Sequence, residues 1–313
     1  MVQLVLIHVP RQLAVSGSGD TTLRFWDIEF GGKSGKSMIL RGHIAPVHCV
    51  NVDWPSRHAL SGSGDGVLCI WDLKCGACVR ELRLNTHAAT AVLCLAADWA
   101  LMQALSGDSD GTLRVWDLTL GLIIRTFRGH SRAVRCLAAD WHSQRAISGS
   151  SDDTLRLWEL DNGEVLQVLQ GHTHDVLCVA VDWGGQHALS GSGDDTLRLW
   201  ELTGGKVLLE LMGHERDVLC VDVDWAAERA VSGSSDCSLL LWDLRIGRVV
   251  RRLRGHEDLV NAIAVDWLAQ RAFTGSHDGS SQLWDLETGE SLLELRGHSF
   301  HVLCVAYHYA STE

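Results

Sequence analysis

One unit of about 42 residues recurs along this 313-residue chain, and it constrains the possible folds more than any other feature. Between Gly171 and Leu202 the unit is marked by His172 after a glycine, by Asp194 behind a Ser-Gly-Ser, and by Trp200 at the end of an apolar run. A tryptophan followed by Asp or Glu marks seven units: Trp26, Trp71, Trp116, Trp158, Trp200, Trp242 and Trp284. Repetition through nearly the whole chain predicts a closed or stacked array and favours one domain spanning residues 1–313.

The unit also predicts its own local structure. It contains four short apolar runs, separated by turn sequences such as Asp65-Gly66, Asp110-Gly111 and Asn162-Gly163. Short runs joined by Asx-Gly turns are typical of antiparallel hairpins. Since the runs do not alternate cleanly between apolar and polar residues, both faces of each sheet are expected to be covered. We therefore predict an all-β, seven-bladed β-propeller of four-stranded antiparallel blades.

Cysteine usage and charge narrow the class of protein further. Six of the ten cysteines fall at one repeat position inside an apolar run, where they are expected to be buried small hydrophobes: Cys49, Cys94, Cys136, Cys178, Cys220 and Cys304. This pattern favours a reducing compartment, the cytoplasm or the nucleus. The net charge of −12 argues against nonspecific binding to nucleic acid or anionic membranes. No membrane span, metal site or cofactor is expected.

The order Gly-His, Ser-Gly-Ser-x-Asp, Trp-Asp resembles the WD-repeat (WD40) family, and the resemblance covers essentially the whole chain. One departure concerns the turn after the first strand, where the family has Ser-Pro-Asp. This chain instead has Asp-Trp six times, ending in Trp54, Trp99, Trp141, Trp183, Trp225 and Trp267. The departure is expected to alter the bottom loops and to leave the fold unchanged.

The resemblance implies a buried hydrogen-bonded tetrad in each blade: the His, the Ser two residues before the turn Asp, that Asp, and the Trp indole. The implied tetrads are His43, Ser63, Asp65 and Trp71; His130, Ser150, Asp152 and Trp158; His172, Ser192, Asp194 and Trp200; His214, Ser234, Asp236 and Trp242; and His256, Ser276, Asp278 and Trp284. A buried indole N–H and a buried carboxylate both need partners. A His/Ser/Asp hydrolase triad is the alternative, but seven equivalent catalytic triads are implausible.

The two ends of the chain each carry half of a tetrad. Trp26 has no histidine 28 residues earlier, and His298 has no Trp-Asp after it. We predict that residues 298–308 supply the innermost strand of the first blade, so that N- and C-terminal segments close the ring. Residues 2–8 resemble the same strand and compete for that place.

The third unit departs from the pattern in two ways. Thr86-His87 replaces Gly-His, and Asp108 stands where the resemblance places the tetrad serine. A carboxylate near Asp110 is expected to weaken this tetrad.

The resemblance places the partner-binding surface on the top face, formed by the loops after each histidine and by the Asp turns. The candidate residues are Arg132, His174, Asp175, Glu215, Arg216, Asp217, Glu257, Asp258, His277 and His301. Glu215, Asp217, Glu257 and Asp258, with Asp153 and Asp195 nearby, form an acidic arc that suits a basic peptide. We expect a non-catalytic protein-interaction scaffold, either a monomer or part of a hetero-complex.

Two other functions remain open. Trp242-Asp243-Leu244-Arg245 is similar to the WDxR box of receptors that dock on cullin-type ubiquitin ligases. A propeller enzyme would need carboxylates or metal ligands converging in the central channel, where the first strands are mostly Val, Leu, Ala and Cys.

Two further motifs favour less specific interpretations. Residues 31–37 miss the phosphate-loop spacing by one residue and join strands, which favours a surface loop. Cys75-Gly76-Ala77-Cys78 has CxxC spacing without a second pair. We interpret it as a chance turn sequence, with a redox-sensitive pair as the alternative.

Overall fold

The computed structural model describes residues 12–28, 36–83 and 90–309. These residues form seven four-stranded antiparallel sheets, one per blade. The first blade combines β1 (Gln12–Ser18), β2 (Thr22–Ile28) and β3 (Lys36–Arg41) with the last strand, β28 (Val302–Tyr309). The predicted seven-bladed propeller is confirmed.

The other six blades are each built from four consecutive strands. The second to fourth blades contain β4 (Val47–Asp53), β5 (His58–Ser63), β6 (Val67–Asp72), β7 (Ala77–Arg83); β8 (Val92–Asp98), β9 (Gln103–Asp108), β10 (Thr112–Asp117), β11 (Leu122–Arg128); and β12 (Val134–Asp140), β13 (Arg145–Ser150), β14 (Thr154–Glu159), β15 (Val165–Gln170). The fifth to seventh contain β16 (Val176–Asp182), β17 (His187–Ser192), β18 (Thr196–Glu201), β19 (Lys206–Met212); β20 (Val218–Asp224), β21 (Arg229–Ser234), β22 (Ser238–Asp243), β23 (Arg248–Arg254); and β24 (Val260–Asp266), β25 (Arg271–Ser276), β26 (Ser280–Asp285), β27 (Ser291–Arg296).

The ring closes as predicted. β28 pairs antiparallel with β1, with Gln12 opposite Tyr309 and Ser18 opposite Val302. The innermost strand of the first blade therefore comes from the C-terminal end of the described chain. Residues 2–8, the other candidate for this place, lie outside the described residues.

The first strand of each blade lines the central channel. We call the end with the loops before these strands, and with the turns between second and third strands, the top. The opposite end, with the turns between first and second strands and between third and fourth strands, is the bottom. Since the chain enters the innermost strand of every blade from the top, all the histidines that precede these strands lie at one end.

The hydrophobic core lies between neighbouring blades. One cluster joins Cys136 and Ile147 of the fourth blade to Val176 and Trp200 of the fifth. The same arrangement recurs around the ring. The six repeat-position cysteines are buried in these clusters, as predicted, and all ten cysteines are free thiols.

The glycine in each Ser-Gly-Ser has a packing role. A Cβ on Gly149 would lie 2.6 Å from both the Cys136 Sγ and the Val176 Cγ1 atoms, closer than real Cβ atoms approach. Only glycine lets the next blade pack this tightly against the second strand.

The second set of tryptophans bridges blades at the bottom. The indole N–H of Trp99 in the third blade donates to Asn51 Oδ1 in the second at 2.9 Å, and that of Trp267 in the seventh donates to Asp222 Oδ1 in the sixth at 2.8 Å. Burial raises the pKa of the Asp222 carboxyl. The Asp-Trp turns thus connect neighbouring blades as well as reversing the chain.

Candidate functional site

The fifth blade shows how the repeated polar residues fit together. Trp200 Nε1 donates to Ser190 Oγ at 2.8 Å, and Ser190 Oγ lies 2.8 Å from His172 Nε2. His172 Nδ1 lies 2.8 Å from Asp194 Oδ2. A neutral histidine satisfies every contact, because Ser190 then donates to Nε2 while Nδ1–H donates to the carboxylate. The arrangement is a linear chain of structural hydrogen bonds.

The electrostatics of the tetrads agree with a neutral histidine beside an ionised aspartate. Burial lowers the pKa of His130, His214 and His298, even though the neighbouring aspartates raise it. Burial alone would raise the pKa of Asp20, but hydrogen bonds from Thr22 and Ser299 lower it to about 2. Each aspartate is therefore an acceptor held between its histidine and the backbone.

The predicted serines were wrong by two residues. The tetrad hydroxyls belong to Ser148, Ser190, Ser232, Thr274 and Ser61, and not to Ser150, Ser192, Ser234, Ser276 and Ser63. Ser150, for example, donates to the Arg132 carbonyl at 3.2 Å and accepts from the Asp152 amide at 3.1 Å. Both serines of Ser-Gly-Ser point to the same side of the strand, but only the first lies within reach of the indole.

A signal for the correct serine was present in the sequence. Every blade has Ser or Thr four residues before the turn Asp. The position two residues before the turn Asp is less constant, because the third blade has Asp108 there. Accordingly, Trp116 Nε1 donates to Ser106 Oγ at 3.0 Å, and Asp108 does not replace the tetrad hydroxyl.

The third blade balances its extra carboxylate with Arg114. The buried guanidinium of Arg114 contacts Asp108 and donates to Asp110 at 2.9 Å. The carboxylate pair that was expected to weaken this blade is therefore neutralised in part. Thr86 and His87 lie outside the described residues.

The first blade has a complete tetrad assembled from both ends of the ring. His298 lies 2.8 Å from Ser16 Oγ and 3.0 Å from Asp20 Oδ2, and Trp26 donates to Ser16 at 2.8 Å. The tetrad hydroxyl is Ser16, whereas Ser18 donates to the Phe300 carbonyl.

The top-face candidates lie in the loops of the fourth to seventh blades and the closing segment. Exposed residues are Arg132, His174, Glu215, Arg216, Asp217 and Glu257. Asp175, Asp258, His277 and His301 are partly exposed. The structure therefore leaves all ten accessible around one end of the channel.

Three of the top-face candidates make side-chain contacts: two histidines stack on each other, and Asp175 contacts the fourth blade. His277 and His301 stack with ring centroids 3.9 Å apart, and burial lowers the pKa of His277. Asp175 accepts from Ser151 Oγ at 2.6 Å and lies 3.6 Å from Arg135 Nη2.

Sequence reasoning missed Arg135. It is the second residue of β12 and lines the channel mouth with His48 and Asn261, among apolar residues such as Leu93 and Leu177. Burial, and to a lesser extent the charge of Arg135, lower the pKa of His48. The signal was a charged residue at a repeat position that is leucine in four of the seven blades. No cluster of three or more metal-ligating side chains occurs within residues 12–28, 36–83 and 90–309.

The comparison with known families agrees with this geometry. The model described as WD domain, G-beta repeat matches six segments: residues 34–72, 76–117, 121–159, 163–201, 205–243 and 247–285. The chain belongs to the WD40 family. Six repeats match, and the first blade, which the C-terminal strand completes, is the seventh. WD40 propellers are mostly non-catalytic and generally act as protein-interaction scaffolds.

A search among curated proteins found no significant match. In the part of the chain that the structure describes, no helix is long and apolar enough to cross a membrane.

The remaining motifs lie away from the top face. Arg245 is exposed at the bottom, where its Nη2 donates to its neighbour Asp243 at 2.7 Å. Cys75 is exposed in the bottom turn of the second blade, and Cys78 is partly exposed at the start of β7. Of the phosphate-loop-like stretch, residues 31–35 lie outside the described residues.

Proposed function

We propose that this WD40 propeller is a non-catalytic scaffold that binds a protein or peptide partner on its top face. The observation that carries the proposal is the contrast between the buried tetrads, which repeat, and the exposed top loops, which differ from blade to blade. Variable side chains on a rigid frame are typical of a recognition surface.

The charge of these loops supports a basic partner. Among the described residues, the carboxylates of Glu215, Asp217 and Glu257 form no ion pair, so their charge is available to a ligand. Arg216 lies within the same arc and would favour a partner that also presents an acidic or polar group. Such a surface accelerates association more than it raises affinity.

The free thiols support a reducing compartment, and we propose the cytoplasm. There the propeller acts as a monomer or as one subunit of a hetero-complex.

Affinity capture from cell extract tests the proposal. A top variant changes Glu215, Asp217, Glu257 and Asp258 to Lys. A matched bottom variant changes Asp161, Glu164, Glu287 and Glu290 to Lys, which alters the net charge equally. Both variants must melt as the wild type does. We expect specific partners to be lost only with the top variant; partners that survive it but are lost with the bottom variant would refute the top-face assignment.

A further inference from the structure

A cleft of about 530 Å³ opens at the bottom between the second and third blades. Its apolar wall consists of Ile70, Val79, Trp99, Met102 and Leu118, and its polar residues are Asp53, Ser56, His58, Arg80 and Thr119. This volume lies in the range of small-molecule sites, roughly 300–1,000 Å³. The cleft is at the opposite end from the proposed partner surface, so neither proposal depends on the other.

The equivalent position between the sixth and seventh blades shows what such a cleft holds. There Arg229 lies over Trp267, 5.5 Å from the ring centroid, and its Nη2 donates to Asp224 at 3.2 Å. Its Nη1 donates to Gln270 at 3.2 Å. The chain itself thus places a guanidinium between a carboxylate and an indole face.

The cleft between the second and third blades retains the carboxylate and the indole but lacks this cation. By repeat position, Asp53 corresponds to Asp224 and Trp99 to Trp267, whereas His58 replaces the arginine. Met102 replaces the glutamine that anchors it. His58 Nδ1 lies 2.9 Å from Ser56 Oγ, and the imidazole lies 6.4 Å from the Trp99 ring at a tilt of 31°. Within the described residues it forms no hydrogen bond or ion pair with Asp53, whereas Arg229 donates to Asp224.

The Asp53 carboxylate also lacks the hydrogen bonds from backbone amides of the following turn that the corresponding aspartates of other blades accept. Asp98 accepts from the amides of Ala100 and Leu101, both at 2.9 Å. In the second blade the residue two after the aspartate is Pro55, which has no amide hydrogen. Within the described residues, the Asp53 side chain has neither a hydrogen bond nor an ion pair.

The indole of Trp99 and the guanidinium of Arg80 are already held by hydrogen bonds within the protein. The indole N–H of Trp99 is held by Asn51, which sets the orientation of the ring. Arg80 donates through Nη1 to the carbonyls of Leu118, at 3.4 Å, and Thr119, which holds its guanidinium against the third blade. Neither group needs to move for a cation to approach Asp53.

We propose that this cleft binds a small organic cation, a guanidinium or primary ammonium group on an apolar stem. The cation lies between the Asp53 carboxylate and the face of Trp99, and the stem packs on Val79, Met102 and Leu118. Charge-assisted hydrogen bonds and cation–π attraction hold the cation, as they hold Arg229 in the equivalent cleft.

Phenethylguanidinium is the probe, titrated into ¹⁵N-labelled full chain while the indole N–H signals are recorded. The Trp99 signal, identified by its absence in Trp99→Phe, is expected to shift, and 2-phenylethanol is expected to leave it unchanged. Asp53→Asn is expected to weaken binding about tenfold or more, since it removes the charge-assisted contact. Asp161→Asn, which removes a charge elsewhere at the bottom, serves as the control and is expected to bind as the wild type does.

A second variant introduces an arginine side chain that is expected to fill the cleft. His58→Arg combined with Met102→Gln copies Arg229 and Gln270 and is expected to abolish probe binding. His187→Arg, the same substitution between the fifth and sixth blades, is expected to leave Trp99 responsive. Equal binding of the alcohol, undiminished binding by Asp53→Asn in a folded protein, or no Trp99 shift at millimolar probe would overturn the proposal.

Discussion

The third and fifth blades bury the same indole beside different charges. In the fifth, Trp200 is linked through Ser190 and His172 to a single carboxylate, Asp194. In the third, Trp116 still bonds Ser106, but two aspartates contact the buried Arg114. The difference teaches that the hydroxyl–indole contact is the constant part of the tetrad. The charged groups can change as long as each buried carboxylate keeps a cation or donors around it.

Removing the cation of the third blade is expected to have the largest effect. Arg114→Ala leaves Asp108, which is fully buried, without its cation, so we expect a loss of about 3–5 kcal/mol in the free energy of unfolding. Arg198→Ala changes the same strand position in the fifth blade, where the arginine pairs with the exposed Glu210, and should cost about 1 kcal/mol or less. Urea denaturation measures both.

A double variant sharpens this result. Asp108→Ser with Arg114→Leu copies the sixth blade, which has Ser234 and Leu240 at these positions. It should recover most of the stability that Arg114→Ala loses. Equal costs for Arg114→Ala and Arg198→Ala would show that the third blade does not depend on its ion pairs.

Replacing either serine of the fifth blade with alanine is expected to cost less free energy of unfolding than Arg114→Ala, with the larger loss at Ser190. Ser190→Ala removes the partner of both the Trp200 indole and His172 Nε2, which are buried, and should cost about 2 kcal/mol. Ser192→Ala removes a turn contact nearer the solvent and should cost about 1 kcal/mol. Equal effects, or a larger effect at Ser192, would restore the original assignment of the tetrad serine.

Acid is expected to weaken the His–Asp tetrads by a modest amount. The His298 pKa is lowered by burial, so the unfolded chain binds a proton more readily and stability is lost as the pH falls through the ordinary value of 6.5. The Asp20 pKa is lowered to about 2, so its contribution is lost as the pH falls from the ordinary value of 3.8 toward 2. The free energy of unfolding should therefore decrease steadily below neutral pH.

His298→Asn isolates the first of these contributions. The variant should be less stable at pH 7 and should lose less stability than the wild type between pH 7 and pH 5. Parallel pH profiles for the two proteins would contradict a neutral, buried histidine in the closing blade.

Most of the architecture was predictable because it follows from repetition. The spacing of Trp26 and His298 predicted closure by the two ends of the chain, since each lacked one partner, but residues 2–8 resembled the closing strand as well, and the structure was needed to place β28 there. The tetrad serine was not predictable from alternation alone, because Ser148 and Ser150 share one side of the strand. The family resemblance was therefore assigned to Ser150, whereas Ser148 is the tetrad serine.

The functional details that sequence reasoning missed all depend on contacts between blades. Arg135 meets Asp175 from the next blade, and Asp53 faces Trp99 across a cleft. Residues so far apart in sequence are brought together only by the packing of one blade against another. Repeat positions that break the pattern, such as Pro55 and Met102, were visible, but their consequence required the structure.

The top surface and the bottom cleft both depend on a closed ring, so the tetrad of the first blade is the first thing to measure. The indole N–H resonance of Trp26, assigned with Trp26→Phe, reports directly on Ser16 and His298. Ser16→Ala and His298→Asn should each shift it, and Ser18→Ala should leave it nearly unchanged. A Trp26 signal that ignores His298→Asn in a folded protein would contradict closure by the C-terminal strand.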